Sequence, residues 1–397
     1  MDLDILFKNS SSKMKESISA RDLVVSDDAE FIESVNDLYA IEGYAKPIEV
    51  ADIDNDSAWN HSDIQLNHVI LDLRGASNVV DQTSEIATRL DVSISLLVVC
   101  DVDSIKLRNQ VHSLGANYVL WDVDLDALLA AIKTSEDQES SVKRTRVAKR
   151  ILVLGTKGGV GVSSVSSLLC HSLAGQANLK TLLVDHDSGA MNSDIYLGIK
   201  GLKAKQNSID LNQIDIDDAI AKTYLHNVID KLDYLVLEKN IACLSDHATT
   251  LFNLSNQLID QYNFIIDSVP LSCYEEIHDQ ELSEKYHRIF VVCDPSVSSL
   301  RSYNLLKKKL GKTEHELVFN LNRPAKDFMV TLPSAKERIR VKTSIDFSYE
   351  PALEKMLIQQ GIGHFMQSKS SAPIANMVST LTGKKIKTKP RFSLFRK

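Results

Sequence analysis

The stretch whose reading decides the fold is LGTKGGVGVSS, Leu154–Ser164. An apolar run, ILVLG, leads into it, and a helix-like run, VSSLLCHSLAG, overlaps its end. A strand that stops in a glycine-rich turn and opens a helix is a setting for anion binding. Consecutive backbone N–H groups and the positive end of the helix dipole face the same point. Gly158, Gly159 and Gly161 let the main chain approach a phosphate, Ser163 stands where a hydroxyl would ligate Mg²⁺, and Ser164 can reach a phosphate oxygen. Val162, however, stands where such loops place a lysine. The expected cofactor-binding run is therefore Lys157, Gly158, Gly159, Val160, Gly161, Val162, Ser163 and Ser164, with a grip made by amides rather than by a charge inside the loop.

Outward from the loop, the pattern repeats. Downstream come KTLLVDHD, a long middle read as helical, then YNFIIDS, RIFVVCDPS and ELVFNLNRP. Upstream, the apolar runs Leu23–Val25, His68–Leu73, Ile94–Val99 and Tyr118–Trp121 alternate with helix-like stretches such as AEFIESVNDLYA and LDALLAAI. Strands alternating with helices predict parallel sheets with helices on their faces. The expected fold class is α/β, with two doubly wound parallel-sheet domains. The expected organisation is a flexible N-terminus over 1–18, a first domain over 19–133, a linker over 134–148, a nucleotide-binding domain over 149–383 and a basic tail over 384–397.

The composition narrows the function. A net charge of −8 argues against general coating of nucleic acid. The tail, KKIKTKPRFSLFRK, holds seven basic residues and no acid; without them the remainder goes from −8 to −15. Basic residues interleaved with Phe392, Leu394 and Phe395 suit a membrane surface or a partner. The five cysteines, Cys100, Cys170, Cys243, Cys273 and Cys293, show no CxxC spacing, so reduced thiols are expected and neither a disulfide framework nor a zinc site. The start, MDLDILFKNSSSKMKES, lacks the pattern of a secretory signal, and no run approaches a membrane span. The cytoplasm is the expected location.

KGGVG with Lys157 at its front resembles the deviant Walker A signature of the MinD/ParA superfamily, and other pieces follow in order: LLVDHDSGAMNSDIYLGI, YNFIIDSVP, FVVCDPSVSSLRSYNLL, VFNLNRP and SIDFSYEPALEKMLIQQGI. The resemblance implies a P-loop fold, ATP and Mg²⁺ as cofactors, and a homodimer in which Lys157 reaches the partner's nucleotide. It implies catalytic roles for Lys157 and for Asp187, which would orient the attacking water. It implies Mg²⁺ held by Ser163 and, through water, by Asp267, with Asp185 in a supporting place. It gives Asn322 and Arg323 to the purine, with Asn320 competing one strand repeat earlier. An iron–sulfur reductase, another branch of the superfamily, is disfavoured because Cys273 has no evident partner cysteine in the sequence.

The first region resembles a response-regulator receiver, flavodoxin-like in fold, with Asp72 at the phosphoacceptor place and Asp27 as one of the acidic metal-binding pair. Ser26 replaces the other acid, Cys100 the usual hydroxyl residue, and Trp121 the usual lysine, so a degenerate pocket is expected. A degenerate receiver joined to a MinD-like domain resembles the TadZ/CpaE family. That resemblance implies a localisation and assembly factor of a Flp/Tad-type pilus secretion machine. Its partners would be proteins of that machine, including its assembly ATPase, at the cell pole or the inner face of the inner membrane, with no specific nucleic acid. Loss of the intraloop lysine is expected to cost about 1.5–3 kcal/mol in binding and about 10²–10³ in hydrolysis rate. The protein would then be at most a slow P-loop ATPase. The alternatives are an active ParA/MinD-class ATPase cycling on membrane or DNA, a nucleotide-free pseudo-ATPase scaffold, and a regulator phosphorylated at Asp72.

Overall fold

The computed structural model describes residues 21–51, 66–137, 146–187, 192–206, 216–238, 244–276, 282–311 and 313–383. The expected flexible N-terminus, most of the expected linker and the basic tail lie outside them. The chain divides into two compact units, one comprising 1–87 with 93–142 and the other 88–92 with 143–397.

In the first unit, the described strands are β1 (Arg21–Val25), β2 (Ile48–Val50), β3 (Leu66–Asp72), β4 (Ser95–Cys100) and β5 (Asn117–Leu120). They form a parallel sheet in the order β2-β1-β3-β4-β5, the doubly wound order of flavodoxin-like folds. Its longer helices are α1 (Ala29–Glu42), α2 (Val79–Arg89), α3 (Ile105–Ser113) and α4 (Asp126–Asp137). Helix α1 starts because the Asp28 carboxylate accepts from the Glu30 N–H, and it stops at Gly43, φ 78°. On one face of the sheet, Phe31, Val35 and Tyr39 of α1 and Leu128 and Ile132 of α4 pack with Val24, Ile70, Leu97 and Val99. Strand β2 escaped the sequence reading because IEV is three residues long and carries Glu49 at a sheet edge. Helix α4 runs to Asp137, into the segment expected to be linker.

The second unit carries β6 (Lys149–Gly155), β7 (Thr181–Asp185), β9 (Leu225–Ile229), β10 (Leu232–Leu235), β12 (Phe264–Val269), β13 (Arg288–Cys293), β14 (Glu316–Asn320) and β15 (Ile345–Phe347) in one sheet. A short separate pair joins β8 (Lys205–Gln206) and β11 (Leu237–Glu238). The order of the large sheet is β15-β14-β13-β6-β12-β7-β10-β9, parallel except for the β9–β10 hairpin. That hairpin corrects the expectation of a helical middle. Residues 225–235 turn through Lys231 at φ 64°, and no Asn-Gly or Asp-Gly pair signals the turn. The longer helices are α5 (Val162–Gly175), α6 (Leu244–Asn256), α7 (Val297–Leu310), α8 (Leu332–Ile339), α9 (Leu353–Gln360) and α10 (Ala372–Thr382).

Alternation along the strands sorts residues between two faces. Ile151, Val153, Leu183, Tyr234, Phe264 and Ile266 share a core with Val165, Leu168, Leu169 and Leu173 of α5. On the other face, Leu182, Val184 and Ile265 pack with Leu251 and Leu254 of α6, and Leu152, Leu154 and Val291 with Leu300, Tyr303 and Leu306 of α7. Because both faces are covered, the central strands read as nearly unbroken apolar runs. Each fully buried leucine contributes about 1.5–3 kcal/mol, so α5 is firmly seated beneath the glycine loop. No described helix is long and apolar enough to cross a membrane.

Candidate functional site

Strand β6 is flanked by β12 and β13. It ends at Gly155, and α5 begins at Val162. Its N-cap, Gly161, has φ 94°, and no side chain caps the first N–H groups. Those donors have no intrahelical partner and face outward, as an anion site requires. Two glycines are fixed by close approach. A Cβ on Gly161 would lie 2.2 Å from the Asn320 amide nitrogen, and one on Gly155 would lie 2.6 Å from a Val162 methyl.

The second contact shows what Val162 does. Its side chain folds onto Gly155 and packs against the α5 core. It therefore extends no polar group toward the phosphate position. The loop's remaining side-chain cation, Lys157, pairs with Asp294 at 3.0 Å. Asp294 is buried after β13 and also accepts from the Ser296 N–H and hydroxyl. Thus Lys157 is tied to its own chain.

The end of β14 holds the loop. The Asn320 Nδ2 donates to the Val160 carbonyl at 2.8 Å, and the Asn322 Nδ2 donates to the Gly159 carbonyl at 2.9 Å. Carbonyls held from behind leave the loop's N–H groups free to face forward. The amide of Asn322, expected to read a purine, is here a strut. Arg323 lies against the Phe328 ring, 4.3 Å from its centre. Ser163 is half-buried in the first turn of α5, and the Ser164 hydroxyl donates back to the Gly161 carbonyl at 2.9 Å. A cavity of about 320 Å³ opens beside the loop, between Gly159, Gly161 and Asn320 on one side and Phe347, Tyr349 and Leu353 on the other.

The expectation for Asp267 is corrected. Ile265 and Asp267 share the face of β12 that packs on α6, whereas Phe264, Ile266 and Ser268 share the face of the loop helix. Asp267 is fully buried. One of its oxygens accepts from Arg150 Nε at 2.6 Å and the other lies 2.8 Å from His186 Nε2. The Arg150 guanidinium sits 4.0 Å from the Phe252 ring of α6 and also reaches Ser255. Burial by itself would raise the Asp267 pKa, but Arg150 and His186 outweigh it and hold the carboxyl at about 2. This carboxylate braces the sheet from behind. Ser268, paired in register with Val153 and with Asp185, occupies the loop-side place.

Asp185, at the end of β7, accepts from the Asp187 N–H at 3.0 Å and from the Tyr234 hydroxyl at 3.1 Å. Burial raises its pKa, and its bond from the Asp187 N–H shapes the turn that presents Asp187. Asp187 is half-buried, and residues 188–191 lie outside the described residues. Among the described residues, no group of three or more His, Cys, Asp or Glu side chains is placed to hold a metal ion. The donors present do not fit a resident Mg²⁺. Asp267 is turned away and spent, Asp185 has an accepted bond on each oxygen, Ser164 is bonded to its own loop, and only Ser163 of the expected ligands stays beside the loop.

The first unit has its own cluster at the carboxyl ends of β1, β3 and β4. Asp72 is paired through Arg74, a residue the sequence reading passed over. Arg74 donates to the two Asp72 oxygens, from Nε and a terminal nitrogen, each at 2.8 Å, and that terminal nitrogen also reaches Asp28 at 2.7 Å. The Ser26 hydroxyl donates to Asp72 at 2.7 Å. The guanidinium lies 4.5 Å from the Phe31 ring centre and 4.2 Å from that of Trp121, a cation–π arrangement worth about 2 kcal/mol when desolvated. The expected partner, Asp27, is exposed; Asp28 takes its place. Arg74 holds the Asp28 carboxyl below the ordinary range. Burial pushes the Cys100 thiol up to about 12, so it stays protonated. The only sequence signal for Arg74 was its position, two residues after Asp72 in LDLRG.

Residues 148–308 match the family model described as "AAA domain". Solved structures similar to the chain include a ParA family ATPase from Chlorobium tepidum TLS, with 18% identity over 58% of this chain and 98% of that one, TM-score 0.49. Another is the septum site-determining protein MinD complexed with Mg-ADP from Pyrococcus horikoshii OT3, with 17% identity over 60% and 99%, TM-score 0.48. A third is the MinC:MinD cell division protein complex of Aquifex aeolicus, with 19% identity over 60% and 98%, TM-score 0.48.

Two outcomes follow from this geometry. Asp267→Asn leaves Arg150 buried without its counter-charge and should cost about 3–5 kcal/mol in urea denaturation at neutral pH. The wild-type carboxylate, with its folded pKa depressed to about 2, contributes fully above the ordinary carboxylate value of about 4. That contribution fades as pH falls from there toward 2, and the variant should lack this part of the acid destabilisation. A cost under about 1 kcal/mol would contradict the bracing role. Separately, acetyl phosphate with the full chain should leave Asp72 unmodified by mass spectrometry after borohydride trapping, because Arg74 already occupies its oxygens; a trapped Asp72 would contradict this.

Proposed function

We propose that the chain is an adenine-nucleotide-binding localisation and assembly factor of a Flp/Tad-type pilus secretion system, with hydrolysis slow or lost. The observation that carries the reading is the loop: its amide donors are presented while the place of its cation is filled by Val162 packed on Gly155. Binding draws on many backbone donors, whereas hydrolysis needs charge at the departing phosphoryl group. Grip therefore outlives turnover. The match of 148–308 to the AAA domain model supports a nucleotide site in the second unit. The triphosphate would lie on the amides of 158–164, with the base in the neighbouring cavity.

In this reading the protein acts as a homodimer. Lys157 would leave Asp294 and meet the nucleotide of the partner subunit, so that ligand binding sets the association. Asp187 would face the terminal phosphate. The first unit, its acidic pocket closed by Arg74, would serve as a contact surface for proteins of the pilus machine. The basic tail would add contact with an anionic membrane face, placing the protein on the cytoplasmic side. A second reading, a scaffold that never takes nucleotide, is favoured by one feature: Asn320, Asn322 and Asp294 already satisfy the loop from within.

Calorimetry and sedimentation separate these readings. ATP should bind the wild type with turnover near background. Val162→Lys should tighten binding by roughly 10–100-fold, the equivalent of one charge-assisted contact. Nucleotide should shift the wild type from monomer to dimer, and Lys157→Ala should bind nucleotide yet stay monomeric. Absence of ATP binding by the wild type would leave the scaffold reading in place.

A further inference from the structure

We infer that the loop takes its nucleotide without help from a divalent cation, so that the protein does not distinguish the free nucleotide from its magnesium complex. The inference rests on the nucleotide reading above and concerns the metal alone. The anionic ligand that would add most to a cation beside a bound triphosphate is a carboxylate on the loop side of the sheet. The strand beside β6 is the place for such an oxygen, and there β12 presents Ser268. Its one carboxylate lies on the opposite face, bonded to Arg150 and His186 and fully buried.

The next strand offers no replacement. Asp185 stands in register with Ser268. Its two oxygens accept from the Asp187 N–H and the Tyr234 hydroxyl, and it has no solvent exposure. Both oxygens are already engaged, one by the turn after β7 and the other by β10. Of the loop hydroxyls, Ser164 donates to the Gly161 carbonyl. Ser163 remains, and a single neutral hydroxyl adds little to the six oxygens that Mg²⁺ already draws from phosphate and water. A cation carried in by the nucleotide would keep its water shell. It would gain no carboxylate from β12, whose Asp267 is held on the opposite face.

Val162 at the intraloop lysine place and Ser268 at the loop-side place of β12 make a consistent pair. A lysine and a metal-holding acid are both devices for charge developing in the transition state. A site that only grips needs neither. On dimerisation in the reading above, Lys157 would leave Asp294 for the partner's phosphates, while Asp294 keeps its bonds from Ser296.

The test is calorimetry of ATP binding to the full-length protein, in excess MgCl₂ and in EDTA at matched ionic strength. The inference expects affinities within about threefold of each other. It also expects Ser268→Asp to tighten binding selectively in MgCl₂. Wild-type binding more than about threefold tighter with MgCl₂ would overturn the inference while leaving the nucleotide reading intact. Absence of binding under both conditions would overturn the nucleotide reading and this inference with it. Should Ser268→Asp fail to fold, the wild-type comparison alone decides.

Discussion

A strand that becomes a helix within the residues Thr156–Gly161 is hemmed in at its two ends. Gly155 lies under a Val162 methyl and Gly161 lies under the Asn320 amide. Those approaches fix the path of the loop, and the path fixes where its N–H groups point. The buried leucines of α5 and the apolar strands behind it supply the rigidity. The struts from Asn320 and Asn322 hold the loop's carbonyls from the side. The uncapped N–H groups at the start of α5 are thus presented by the backbone itself.

The carboxylate of β12 lies away from that loop. Asp267 and Arg150 form a buried pair on the α6 face, where burial would raise the carboxyl's pKa and the guanidinium outweighs it. Such a pair is costly to break and contributes little beyond what apolar residues would; its effect is to lock β6 to β12 at the strands that carry the loop. The first unit repeats the theme. Arg74 bridges Asp72 and Asp28 and stacks on Phe31 and Trp121. In both units, a carboxylate at a strand end of a doubly wound sheet is held by an arginine of the same chain.

Much of the fold was legible. The period of the apolar runs and the strand–loop–helix order predicted two parallel α/β sheets, and that is the architecture found. Strand β2 and the β9–β10 hairpin were not legible, one because it is three residues long, the other because Asp230–Lys231 is no strong turn signal. The site was legible as a backbone motif and less so as side chains. In a strand buried on both faces, apolar runs do not tell which residue faces which helix. Asp267 and Ser268 are neighbours in sequence, and only the packing assigns them to opposite faces. Arg74 was hidden for a similar reason: a turn residue beside a strand-end acid reads as solvent-exposed until its aromatic neighbours are known.

The central claim is that the loop's own amides hold the ligand. Backbone amide chemical shifts, recorded with and without ATP, address it most directly. The account predicts that the largest changes fall on residues 158–164, with Asn320 and Asn322 side-chain amides moving alongside and the amides around Asp267 nearly still. Unchanged amides across the loop at saturating ATP, or changes confined to the first unit, would contradict it.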